Sequence, residues 1–244
     1  MISGVIITFN EEGRIGEAIA SLSCCDEVIV VDSGSSDRTR AIAGSRGARV
    51  IEHVWEGYSK QKNFAAAQAS NDWILSLDAD ERLSAELATE IAGWEKSSRS
   101  ATDHAYSMPR RAFYLGKWIH HSGWYPDRKI RLYDRRHCRW TGDFVHEAMS
   151  VDGSIGRLNG DLFHFPYRDW NDHQNRIERY TDLAAKAARS TGRHGNVLKL
   201  AIAPPLAFFR SFVLRAGFLD GWRGAAISYM AARYVFKKEF RILR

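Results

Sequence analysis

Only three cysteines occur in the 244 residues, Cys24, Cys25 and Cys138, and this scarcity excludes two kinds of construction. Adjacent residues such as 24 and 25 do not bridge readily, and no Cys-x-x-Cys pair occurs, so neither a disulfide framework nor a thiolate zinc site is expected, and a reducing compartment fits. Long apolar runs are also missing. The longest, around Leu200 to Phe209, is interrupted by Pro204-Pro205 and falls short of the ~20 residues that cross a bilayer, so no spanning helix is expected. Met1 leads straight into a strand-like run with no basic leader, so no signal peptide is expected. No helix-turn-helix, zinc-finger or RNA-binding signature is present, which argues against a nucleic-acid partner. There is no internal repeat and no low-complexity segment. The clearest polar break is Ser97 to Thr102.

Charge is present but unevenly placed. The net charge is +6, and residues 193 to 244 hold ten Lys or Arg against two acids, a surplus of eight that leaves the first 192 residues at −2. In that tail, cations such as Lys199, Arg210, Lys237, Lys238, Arg241 and Arg244 alternate with large apolar residues such as Leu206, Phe209, Phe218 and Trp222. Basic amphipathic helices of this kind suit an anionic membrane surface. The alternative is that their apolar faces pack on the rest of the chain or on a second subunit, as a homodimer. Asp169 to Arg189 reads as a helix capped by its N-terminal Asp.

The N-terminal half alternates strand and helix. Val5 to Phe9 is an apolar run that turns polar at Asn10-Glu11-Glu12, and Ile15, Ile19 and Leu22 continue at helical spacing; Glu27 to Asp32 and Ala48 to Val54 read as further strands, with helices over Asp37 to Ala43 and Lys60 to Ala69. A fourth strand, Trp73 to Leu77, ends in Asp78-Ala79-Asp80-Glu81. Alternation at this spacing predicts a mostly parallel sheet covered by helices, with ligands bound beyond the carboxyl ends of its strands. Two aspartates one residue apart at such an end can share Mg²⁺ or Mn²⁺ with a diphosphate, because these hard cations take oxygen ligands from carboxylate, phosphate and water.

Thr8-Phe9-Asn10-Glu11-Glu12, Val31-Asp32-Ser33-Gly34-Ser35-Ser36-Asp37, Lys62-Asn63-Phe64-Ala65 and Leu77-Asp78-Ala79-Asp80-Glu81 together resemble the inverting glycosyltransferases of family 2, whose fold is the GT-A nucleotide-diphospho-sugar transferase fold. Gly123-Trp124-Tyr125-Pro126-Asp127, Arg131-Leu132-Tyr133, Val145-His146-Glu147 and Phe218 to Gly224 are similar, within that family, to bacterial lipopolysaccharide core glucosyltransferases acting on inner-core heptose. The resemblance implies a nucleotide-sugar-binding half over 1–97, an acceptor half over 98–168 and a C-terminal helical extension over 169–244. No Gln-x-x-Arg-Trp of the processive members occurs, so one sugar per acceptor is implied.

By the same resemblance, Thr8, Phe9, Asn10, Glu11 and Asp32 hold the nucleobase and ribose, with Asp32 able to accept a uracil N–H, which favours a UDP-sugar donor. Lys62 and Asn63 reach the nucleotide, although Lys62 on a solvated helix face is the ordinary expectation for a lysine. Asp78 lies near the ribose and a metal-bound water, Asp80 ligates the metal, and His164 is a further candidate ligand. Glu147 is the candidate base, with Asp143 next and Asp127 third, and three roles stay open for His146: orienting that carboxylate, touching the diphosphate, or serving as a structural donor. Trp124, Tyr125, Asp127, Arg128 and Arg131 form the candidate acceptor site, since aromatic rings stack on sugars and guanidinium groups clamp acidic saccharides. The implied acceptor is a lipid-linked saccharide, and the implied location is the cytoplasmic face of a bacterial inner membrane. A nucleotidyltransferase would also join such a sheet to acidic metal ligands, but would carry a Gly-rich basic loop after strand 1. A sugar-binding scaffold without catalysis would not need Asp78, Asp80 and Glu147 together.

Overall fold

The computed structural model describes residues 1–94, 102–142, 147–192 and 195–243. The chain divides into two compact units, one of residues 1–110 with 128–164, the other of residues 111–127 with 165–244. Most of the expected polar break at 97–102 lies outside the described residues.

In the first unit, strands β1 (Ile2–Thr8), β2 (Glu27–Asp32), β3 (Arg49–Glu52) and β4 (Trp73–Asp78) alternate with helices α1 (Ile15–Ser21), α2 (Thr39–Ser45) and α3 (Tyr58–Ala67). They are followed by β5 (Glu81–Leu83), α4 (Ala85–Trp94), β6 (Asp103–Tyr114), whose last residues enter the second unit, β7 (Lys117–Trp118) of that unit, β8 (Asp127–Asp134), β9 (Cys138–Thr141), β10 (Ala148–Val151), β11 (Ser154–Arg157) and β12 (Leu162–His164). The sheet runs β3-β2-β1-β4-β8-β6-β12-β5, with β1 parallel to both β2 and β4, β2 parallel to β3, and β8 antiparallel to β4. The expected mostly parallel, helix-covered sheet is therefore present, and α2 and α3 begin within two residues of the expected starts.

Continuous rather than alternating apolar runs make these strands, because both faces are covered. Every residue of β1 is buried. Ile6, Val30, Leu75 and Leu77 point into one core with Ile15, Ile19 and Leu22 of the α1 region, while Val5, Ile7, Ile29, Val31 and Ile74 point into the other with Ala65 and Ala66 of α3. The register pairs Ile6 with Val30 and with Leu77, so a shift by one residue would move each set to the wrong face. It also aligns the carboxyl ends: Thr8 pairs with Asp32 and Ile7 with Asp78. Past that edge Asn10 adopts a positive φ of 54°, a conformation its short polar side chain tolerates.

The second unit holds α5 (Trp170–Ser190), α6 (Val197–Phe209), a π-helical turn (Arg210–Leu214), a 3₁₀ turn (Gly217–Asp220) and α7 (Trp222–Leu243). Asp169 caps α5 as expected, accepting from the Asp172 N–H at 2.8 Å. Two expectations for the tail are corrected. Pro204 and Pro205 do not break the apolar run, since α6 continues through both. Three cations of α7 are not free for an anionic partner: Glu178 of α5 takes Lys237 at 2.6 Å, Arg241 at 2.7 Å and Arg233 at 3.3 Å, and Asp182 takes Arg241 at 2.9 Å. Lys237 with Arg241 and Arg233 holds the Glu178 carboxyl down at about 2. Arg244 lies outside the described residues.

The core of this unit is aromatic and contains a histidine. His173 is 4% exposed, its Nδ1 lies 2.8 Å from the Tyr114 hydroxyl, and its ring stacks on Tyr167 at 3.9 Å. Burial pushes the imidazole down to about 4. Below pH 6.5 the unfolded chain takes up a proton that the folded one refuses, so stability that is complete above pH 6.5 is lost as the pH falls toward 4, by up to roughly 3 kcal/mol. Urea midpoints at pH 7 and 4.5 should fall further for wild type than for His173→Gln; equal losses would remove His173 from the account.

Candidate active site at the strand ends

Local hydrogen bonds fix the loops beyond β1 and β2 to one another. The Asn10 N–H donates to Ser35 Oγ at 2.8 Å and its side-chain oxygen accepts from the Ser36 N–H at 2.8 Å, while the Glu11 N–H donates to Thr39 Oγ1 at 2.8 Å. Asp32 is fully buried, and its carboxylate accepts from the N–H groups of Gly34 and Ser35 at 3.0 and 2.8 Å and from Ser35 Oγ. Its carboxylate thus shapes the turn that presents Ser35 to Asn10. Phe9 is 57% exposed beside this turn, while Thr8 is buried.

At the end of β4 the three carboxylates take three different roles. Glu81 is wholly buried and receives two bonds from Arg131, Nε to Oε2 at 2.8 Å and Nη2 to Oε1 at 2.7 Å, with Arg110 at 3.1 Å. Asp78 receives Arg131 Nη2 at 2.7 Å, and its other oxygen lies 3.1 Å from Lys62 Nζ without the alignment of a hydrogen bond. Burial opposes ionisation of Asp78, but Lys62 and Arg131 outweigh it and hold the carboxyl far below the usual range. Asp80 stays apart from this network. Its Oδ2 is 3.5 Å from His164 Nε2, across the β5–β12 pairing, and both side chains are nearly one-fifth exposed. Burial raises its pKa, but His164 with Arg14 more than reverses this, so the net shift is downward.

Lys62 is the residue whose placement departs furthest from expectation. It is fully buried, its Nζ lies 3.0 Å from both carboxylate oxygens of Glu147, and it sits 4.5 Å from the centre of the Trp140 ring. One ammonium group therefore joins Asp78 to the candidate base. A buried lysine is tolerated only when its charge is answered, and here two carboxylates and an aromatic face answer it. Lys62→Met removes that charge and leaves two carboxylates facing each other, so unfolding free energy should drop by roughly 3 kcal/mol in urea titrations. An unchanged midpoint would show that the pair contributes nothing.

Several expected contacts are corrected. Asn63 does not reach toward a nucleotide: its amide brackets the backbone of Trp140, donating to the carbonyl at 2.8 Å and accepting from the N–H at 3.0 Å. Arg131, expected to clamp an acceptor, is 3% exposed and spent on Glu81 and Asp78. Arg128 donates to the carbonyls of Ser107 and Leu158, both at 2.7 Å, and so ties strands together. In the second unit, Trp124 is half-buried and packs edge-on against Tyr114 at 5.3 Å and tilted against Tyr167 at 6.1 Å, so it leans on that unit's aromatic core. Tyr125 carries the Arg111 guanidinium 4.9 Å from its ring, and Asp127 is half-buried at the start of β8. Asp143 and His146 lie outside the described residues. The structural role of Glu81 and the Lys62–Glu147 pair were not assigned from sequence.

The donor set suits a hard divalent cation that arrives with its substrate. Among the described residues no group of three His, Cys, Asp or Glu side chains is gathered for a metal, so Asp80, with His164 beside it, would need diphosphate oxygens and water to fill the shell. Asp78 fits a direct ligand less well, because two cations already face it.

The family model described as glycosyl transferase family 2 matches residues 3–150. The lipopolysaccharide core biosynthesis glycosyltransferase LpsC of Rhizobium meliloti is 29% identical over 97% of this chain and 92% of its own length. An uncharacterized glycosyltransferase of Rickettsia typhi is 35% identical over 99% of this chain and 87% of its own. Among solved structures, glucosyl-3-phosphoglycerate synthase of Mycobacterium tuberculosis, in complex with Mn²⁺, UDP and glucosyl-3-phosphoglycerate, aligns over 79% of this chain and 80% of its own with a TM-score of 0.49 at 19% identity.

Proposed function

The chain belongs to glycosyl transferase family 2, with the GT-A fold, and from that membership we propose that it transfers one hexose, glucose in our reading, from a UDP-sugar to a heptose of a lipopolysaccharide core with inversion at the anomeric carbon. The observation that carries this reading is the spacing of two carboxylate stations around one lysine: Glu147 is held 3.0 Å from Lys62, which is itself 3.1 Å from Asp78, two residues before Asp80. A base and a diphosphate station so near each other suit an attack opposite the leaving group. The core-saccharide acceptor is supported by the likeness to LpsC along almost the whole chain.

In this reading each group has a step. The loop pinned by Ser35, Ser36 and Thr39 presents Asn10 and Glu11 to the nucleoside. Mg²⁺ or Mn²⁺ held by Asp80 and His164 would supply Lewis-acid stabilisation of the departing UDP. Glu147 takes the proton of the acceptor hydroxyl as that oxygen attacks the anomeric carbon. Lys62 keeps the Glu147 carboxylate oriented and answers the charge of Asp78, while Arg131 and Arg110 hold the end of β4 rigid through Glu81. The test is transfer from radiolabelled UDP-glucose to purified core saccharides. Label should enter a heptose-terminated core, with one UDP released per sugar transferred, and should not enter a core lacking heptose. Transfer to the heptose-free core alone would contradict the acceptor assignment.

A further inference from the structure

Val197 to Leu214 forms an 18-residue apolar helical stretch of mean hydropathy 1.6, and only 6% of it is buried. Helices apolar on all sides normally lie within a core or in lipid. Here Leu198, Ile202 and Leu206, at four-residue spacing, are 66, 53 and 59% exposed, and Leu214, Phe218 and Trp222 extend the bare surface at 68, 51 and 60%.

Charge decides what covers it. Residues 197 to 219 contain Lys199, Arg210 and Arg215 and no acid, and all three cations are exposed. A second copy seated on this face would bring the same cations against them, and the α5 acids Glu178 and Asp182 are already engaged by α7. Lipid phosphates supply the missing anions, at the depth to which Lys and Arg side chains extend from an embedded helix. The prolines decide the orientation. Without N–H groups, Pro204 and Pro205 leave the carbonyls of Leu200 and Ala201 without their helical donors. A spanning helix would bury those carbonyls in hydrocarbon, where unsatisfied backbone is costly, whereas a helix lying in the interface can turn them to water.

We propose that α6 and the π-helical turn after it embed in the plane of an anionic membrane surface, held by the apolar side chains of Leu198, Ile202 and Leu206 with Lys199, Arg210 and Arg215 on lipid phosphates. The inference is independent of the transfer chemistry. It also replaces the α7 cations Arg233, Lys237 and Arg241, which α5 neutralises, with the apolar face of α6 as the source of affinity.

Flotation of the full chain with phosphatidylcholine vesicles and with vesicles containing phosphatidylglycerol tests it. Wild type should float with the anionic vesicles and keep part of that binding at 1 M salt, because apolar insertion is not screened. The triple variant Leu198→Ser, Ile202→Ser, Leu206→Ser should bind roughly tenfold or more weakly at an unchanged melting temperature, since the replaced side chains are solvent-facing. Lys237→Gln with Lys238→Gln should float like wild type. A fluorescent residue replacing Ile202 should be quenched more by nitroxide at the headgroup end of the acyl chain than at the bilayer centre. Stronger quenching from the centre would overturn the in-plane placement. A wild type that stays unbound at low salt and sediments as a dimer, dissociated by the triple variant, would overturn the membrane and assign the face to a second copy.

Discussion

Glu147→Gln is expected to lower the transfer rate by roughly 10²–10⁴ while UDP affinity stays near wild type. The amide keeps the size of the carboxylate and can still accept from Lys62 Nζ, which lies 3.0 Å from both oxygens, but it cannot take a proton from an acceptor hydroxyl. Single-turnover rates with saturating donor, together with UDP titration by calorimetry, separate the two quantities. A variant that loses UDP affinity as much as rate would make Glu147 a donor-binding group. Retained rate in Glu147→Gln with loss in Asp143→Asn would move the base to Asp143.

Asp80→Ala should abolish turnover and should weaken UDP binding only when Mn²⁺ or Mg²⁺ is present. Asp78 cannot readily replace the missing ligand, because Lys62 and Arg131 lie 3.1 and 2.7 Å from its two oxygens, and His164 alone gives one nitrogen to a cation that prefers oxygen. In chelator, wild type and variant should bind UDP equally. UDP affinity that falls equally with and without metal would point to a direct contact between Asp80 and the donor. Retained activity would remove the metal assignment.

The strands were legible because periodicity and length report burial directly. Runs such as Val5 to Ile7 and Val28 to Val31 are apolar throughout, as the doubly covered centre of a parallel sheet requires, and the register then places Thr8, Asp32 and Asp78 on one edge. What sequence did not reveal was how charged side chains divide between substrate and scaffold. Lys62 and Glu147 are 85 residues apart, and Arg131 is 50 from Glu81, so no local pattern announces either pair. The ordinary expectation that lysine and arginine are solvated fails where a sheet edge gathers carboxylates. Trp124 went astray for a related reason: an indole stacked on a sugar and one packed on Tyr114 read alike in sequence. In the tail the composition was legible but the partners were not, since Glu178 meets Lys237 and Arg241 only when α5 lies against α7.

Thermal unfolding of the wild-type protein with UDP-, GDP-, ADP- and CMP-sugars, each with Mn²⁺ and with chelator, tests the central claim most directly, because a ligand bound to the folded state raises its stability by mass action. A site built from Asn10, Glu11, Asp80 and His164 for a metal-bridged uridine diphosphate predicts that the UDP-sugar raises the melting temperature with Mn²⁺ and loses most of that effect in chelator, while the other three shift it little. A rise produced by a GDP- or CMP-sugar but not by the UDP-sugar, or a UDP-sugar effect of equal size in chelator, would contradict it.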